Sequence, residues 1–142
     1  MNIKDDEHRG SHPLHRKIRR HWIWKDKPFS KGQAFIDLIL RATFSYGKIE
    51  VGGKIIELHT GQLFISEYSL MNDWGWSRDR VRRFLLSMEK DDMIIQRTIK
   101  LSKHPASDDA GKAVGKIITL LNYERLHRDA FKKQEKELKK EK

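Results

Sequence analysis

Between residues 77 and 90 the apolar positions Val81, Phe84, Leu85 and Met88 recur at i, i+3, i+4 and i+7. That spacing predicts a helix with one buried face. Arg82, Arg83, Leu86 and Lys90 then project on the far side, with Arg78 and Arg80 on the flanks. Ser77 stands where its hydroxyl can accept a bond from a free N–H of the first turn. Upstream, Gly61 opens a brief apolar run, GQLFI, read as a strand. Ser66 is a second candidate cap, for a short helix carrying Ser69, Leu70 and Met71, and Gly75 breaks that helix. Residues 61–95 thus read as strand, helix, turn, helix and the start of another strand.

The flanking pattern extends this order. Ser30 is placed to cap a helix through KGQAFIDLILRATF, in which Ala34, Phe35, Leu38, Ile39 and Ala42 form a wide apolar stripe and Tyr46 and Gly47 mark the end. Residues 48–58 hold two β-prone pieces, KIEV and KIIEL, around Gly52 and Gly53, a hairpin signal. Pro13 opens a basic segment, LHRKIRRHWIW, predicted as a helix that docks Leu14, Ile18 and Trp22 on the domain. Residues 93–101 alternate as a strand, and KIITLL at 116–121 is a clean β run after the turn-rich HPASDDAGKAVG. Two strands joined by a long polar loop, just after the arginine-bearing helix, form a wing. The expected class is therefore α+β, mainly α: a winged helix-turn-helix domain with a β-hairpin wing over residues 13–127, carrying an N-terminal basic helix. A flexible N-terminus (1–12) and a charged C-terminal tail (128–142) flank it. Phe35, Leu38, Ile39, Leu63, Leu70, Val81, Phe84, Leu85, Met88, Ile94 and Ile118 are the expected core.

Composition directs attention to partners. The chain has 142 residues, a formal net charge of +10 and no cysteine. A strong positive balance favours a polyanion, nucleic acid first. The absence of cysteine excludes disulfides and thiolate chemistry, and it fits a cytoplasmic protein. No stretch approaches the roughly 20 apolar residues of a membrane span, and no membrane partner is expected.

Catalytic patterns are missing. His8, His12 and His15 are close in sequence, but no cysteine or carboxylate cluster completes a metal site. Asp91-Asp92 and Asp108-Asp109 are adjacent pairs that point different ways on turns, and nothing such as GxSxG marks a nucleophile. The glycine pair lacks P-loop and GxGxxG spacing. No enzyme activity, metal or cofactor is expected. DNA binding has the more specific pattern, a rigid helix with donors in its N-terminal half. Arg82 and Arg83, opposite the apolar stripe, are the candidates for groove contact, with Arg78, Arg80 and the capping Ser77 toward phosphates. Asp79 would repel phosphate and is suited to accept from cytosine or to hold an arginine. On the wing, Lys100, Lys103, Lys112 and Lys116 are candidates for backbone or minor-groove contact, and Arg16, Lys17, Arg19 and Arg20 are additional ones. Trp74 and Trp76, flanking Gly75, are expected to fill the corner between the helices, and Trp22 and Trp24 to anchor in the core.

Taken together, LHRKIRRHWIW, GQLFISEYSLMNDWGWSRDRVRRFLLSMEKDDMI and KIITLLNYERLH occur in an order that resembles the N-terminal winged-helix domains of phage- and prophage-encoded replisome organisers, the DnaD-like primosomal replication proteins. The resemblance covers residues 13–127 and lies in the order of the motifs. It implies origin or single-strand DNA binding, recruitment of a host helicase or helicase loader, and self-association into a homo-oligomer. Longer members carry a further C-terminal domain, where this chain has a charged tail. Two other readings fit the same elements: a winged-helix transcriptional regulator, and a protein–protein interaction module of the replisome without direct DNA contact.

Overall fold

The computed structural model describes residues 12–100 and 113–123. The expected flexible N-terminus, Lys103, Lys112, most of the polar loop and the charged tail lie outside the described residues.

Helix α1 (Lys31–Arg41) starts at Ser30, whose Oγ accepts from the Gln33 N–H at 3.1 Å. It ends earlier than Tyr46 and Gly47, because Ala42 leaves helical geometry with ψ 140°. The arginine of a neighbouring segment explains that end. Arg16 donates from Nε to the Leu40 carbonyl (2.9 Å) and from a terminal nitrogen to that of Ala42 (3.1 Å). These carbonyls would otherwise need water or a further helical turn. Strands β1 (Gly47–Val51) and β2 (Lys54–Leu58) pair antiparallel with Val51 opposite Lys54. Gly52 and Gly53, at φ 56° and 78°, supply the two left-handed residues of the tight turn between them.

Strand β3 (Gln62–Ile65) leads through Ser66, which accepts from Ser69 N–H, into α2 (Glu67–Trp74). Gly75 closes α2 in the left-handed region at φ 69°, donating to the Met71 carbonyl. Two residues later Ser77 caps α3 (Arg78–Lys90), accepting from the Arg80 N–H at 3.2 Å. Strands β4 (Ile94–Lys100) and β5 (Ala113–Leu120) complete a second antiparallel sheet in the order β3-β5-β4. Leu63 and Gln96 both stand opposite Ile118, so one face of this sheet carries Leu63, Ile65, Ile94, Ile118 and Leu120 into the core.

Leu38, Leu63, Leu70, Val81, Phe84, Leu85, Met88, Ile94 and Ile118 are buried there, and Phe35 and Ile39 pack against them half-buried. Trp74 and Trp76 do fill the corner: with Phe84 they form three edge-to-face pairs at centroid distances of 5.0, 5.7 and 5.2 Å. Each indole N–H has an acceptor, Asp37 for Trp74 and the Phe29 carbonyl for Trp76, both at 2.9 Å.

Two expectations are corrected. The domain is not mainly α: it is a small α+β fold with three helices and five strands in two antiparallel sheets, 38% helix against 29% strand. The β-branched runs around the glycine pair and after α3 take up much of the chain that a helical reading left as connections. The basic N-terminal segment is also not an amphipathic helix. It forms only a five-residue 3₁₀ turn, Arg16–Arg20, without a buried residue. Arg16 and Arg19 turn inward to α1, which leaves Leu14 and Trp22 facing solvent, and only Trp24 of the expected anchors packs against the core.

Candidate nucleic-acid interface

Burial of Val81, Phe84, Leu85 and Met88 fixes the roll of α3, so its opposite face is presented outward. Arg78, Arg82 and Arg83 are exposed on it. Arg80, on the flank, lies flat over the Trp76 ring, with its guanidinium carbon 4.2 Å from the centroid, so the buried corner holds the arginine in place. Arg83 reaches back to the Asp79 carbonyl at 3.4 Å. Asp79 forms no ion pair among the described residues, and its carboxylate sits in the first turn of α3, where the helix dipole favours it.

Arg82 is partnered from outside its helix. Its Nε donates to Glu67 Oε2 at 2.9 Å, while the other carboxylate oxygen accepts from Lys116 Nζ at 3.1 Å. Lys116 also donates to Gln96 Oε1 (3.0 Å), and Gln96 bonds through its backbone and side-chain N–H groups to Glu89. Lys116 shares the helix-facing side of β5 with Ile118 by strand alternation, and this aims its ammonium at the start of α2. Burial would raise the Glu67 carboxyl. The hydrogen bonds and charges of Lys116 and Arg82 outweigh it, so Glu67 titrates below its ordinary value and is ionised at neutral pH. The result is one charge network across α2, α3, β4 and β5, with Arg82 still 55% exposed at its rim.

The remaining candidates divide. Lys100 is exposed at the end of β4, and its carbonyl accepts from Lys54 Nζ at 3.3 Å, tying the β1–β2 hairpin to the sheet. Arg16 caps α1 and covers the Phe44 ring at 5.1 Å. Arg19 pairs with the buried Asp37 at 2.9 Å. Lys17 and Arg20 are exposed, with no side-chain partner among the described residues. The structure therefore gathers Ser77, Arg78, Asp79, Arg80, Arg82, Arg83 and, through Glu67, Lys116 on one side of the domain. Arg16 and Arg19 act as internal braces.

Glu67 and Gln96 are the functional positions that sequence reasoning missed. Glu67 follows a capping serine, where an acid is expected for the helix dipole alone. Its partners lie 15 and 49 residues away. Among the described residues no group of histidines and carboxylates could hold a metal ion, and no helix is long and apolar enough to cross a membrane. Comparison of the chain with protein-family models, curated proteins and solved structures returns no match.

Proposed function

We propose that this protein binds DNA, with α3 as the element that enters the groove. The observation that carries the reading is the arginine face of α3, Arg78, Arg82 and Arg83, presented outward by a rigid buried stripe and flanked by Arg80 stacked on Trp76. An arginine on such a face can grip a guanine edge at two points or bind a phosphate. The net charge of +10 provides the attraction that brings the chain to a polyanion. Lys116, beside Arg82, suits a flanking phosphate. The motif order shared with replisome organisers supports a role in initiating phage or prophage DNA replication, with a helicase or its loader and further copies of the chain as partners.

The test is a titration of labelled duplex DNA at several salt concentrations. Binding through phosphate contacts loses affinity steeply as salt rises, with a slope of about −0.9 per contact. Absence of binding at low salt would remove this reading and leave the protein-interaction module. For the replication role, the readout is stimulation of helicase loading on a DNA containing the bound site.

A further inference from the structure

Trp22, expected to anchor in the core, is 76% exposed. Its indole has one aromatic neighbour, His21, at 5.2 Å and a tilt of 35°. The backbone that presents it is firmly held. On one side Arg16 bonds the end of α1 and Arg19 pairs with Asp37. On the other, Trp24 packs edge-on to Phe29 at 5.6 Å, and its carbonyl accepts from Gln33 at 2.6 Å. Within the turn the His21 carbonyl accepts from both Trp24 and Lys25, and His21 Nδ1 accepts from the Ile23 N–H. A large apolar ring is thus displayed to water on a braced loop, where flexibility would have let it fold inward.

The charges around it are equally divided in their use. Residues 12–27 contain Arg16, Lys17, Arg19, Arg20, Lys25 and Lys27 against the single acid Asp26. Arg16 and Arg19 are the braces just described, and Lys27 donates to the Asn72 carbonyl at 2.6 Å. Lys17, Arg20 and Lys25 are exposed on both sides of Trp22 in sequence, with no ion pair among the described residues. A partner that satisfies both features is negatively charged and offers flat apolar faces. Single-stranded nucleic acid does so, since its unpaired bases stack on aromatic side chains while cations track the backbone. A duplex hides those faces inside its own stack. A membrane surface calls for a continuous apolar face, and a five-residue 3₁₀ turn with Ile18 half-buried does not form one.

We propose that Trp22 is the base-stacking platform of a single-stranded nucleic-acid site, with Lys17, Arg20 and Lys25 as its phosphate contacts. This site extends the DNA-binding reading, yet it uses none of the α3 arginines, so either can fail alone. The experiment uses the full chain with a labelled thymidine oligonucleotide of about 16 nucleotides, within the span such sites cover. A labelled duplex and vesicles of mixed phosphatidylserine and phosphatidylcholine serve as the other two probes. Binding of the oligonucleotide is expected to quench tryptophan emission, because Trp74 and Trp76 are buried and Trp24 is half-buried. Trp22→Ala is expected to abolish the quenching and weaken oligonucleotide binding by about 5- to 150-fold, the range of one lost stack, with Trp22→Phe falling between. Duplex affinity is expected to stay within about twofold of wild type in both variants, since one surface contact in a largely electrostatic complex contributes little. Oligonucleotide affinity unchanged in Trp22→Ala overturns the proposal, as does binding to vesicles without binding to the oligonucleotide. Trp22-dependent oligonucleotide binding without duplex binding upholds it and removes the α3 reading instead.

Discussion

The Trp74 indole N–H donates to Asp37 Oδ2 across 2.9 Å, joining a residue with no exposed surface on α2 to a carboxylate that is 1% exposed on α1. The same carboxylate accepts from Arg19 at 2.9 Å and from Arg41 at 2.7 Å, and Arg41 also pairs with Asp73. One buried charge therefore ties the N-terminal segment, α1 and α2 together. Removing it leaves Arg41 and an indole N–H unpaired inside the protein. Asp37→Ala is expected to cost about 3–5 kcal/mol, the range for breaking a buried ion pair from one side. Chemical denaturation checks this; a loss under 1 kcal/mol would show that the network contributes little.

The pH dependence follows from the same site. Burial raises the Asp37 carboxyl, but the Arg41 charge and the bonds from Trp74, Arg19 and Arg41 together hold it below its ordinary value of 3.8. The folded chain then binds this proton less readily than the unfolded chain does. Its stabilisation is complete above the ordinary value and is lost as pH falls through the lower folded value. An acid titration of stability should be flatter in that window for Asp37→Asn than for wild type. Parallel curves would assign the acid sensitivity to other groups.

Arg82→Ala combined with Arg83→Ala should weaken duplex binding and lower the salt slope by about 2, one unit per lost phosphate-type contact. Folding stability should change little, because an exposed ion pair contributes about 0–1 kcal/mol. Melting curves run beside the binding titration separate the two effects. Unchanged affinity would move the duplex site off α3.

Glu67 competes with phosphate for Arg82 and Lys116, since all its charge is already directed at them. Glu67→Gln keeps the length of the side chain and removes the competing charge. Tighter duplex binding at low salt is the expected outcome, with a steeper salt dependence as both cations become available. Weaker binding would instead make Glu67 a positioning residue that holds Arg82 in a productive orientation.

Gly75 closes α2 at φ 69°, and a Cβ there would stand 3.0 Å from the Cβ of Lys27. Gly75→Ala should cost about 1–2 kcal/mol from the left-handed backbone alone. The contact with Lys27 adds to that cost, and the shift should reach Trp76 and the Arg80 guanidinium stacked on it. Thermal melting measures the first part, and a fall in duplex affinity beyond the stability loss reports the second.

Local chemistry was written plainly in the chain. Ser30, Ser66 and Ser77 cap the helices that follow them, Gly75 ends α2, and Gly52 with Gly53 turns the hairpin. The spacing of Val81, Phe84, Leu85 and Met88 set which face of α3 is buried. These features depend on residues within a few positions of one another, so the order of residues alone determined them. Partnership was decided in three dimensions. Periodicity placed Arg82 opposite the core but could not show Glu67 meeting it from α2, or Lys116 arriving from β5. The basic N-terminal segment held two sets of cations with one composition; only the positions of Asp37 and of the α1 carbonyls turned Arg16 and Arg19 inward and Trp22 outward. Charges and rings act on whatever the fold brings within a few ångströms, and a contact between residues 49 apart in sequence has no local signature.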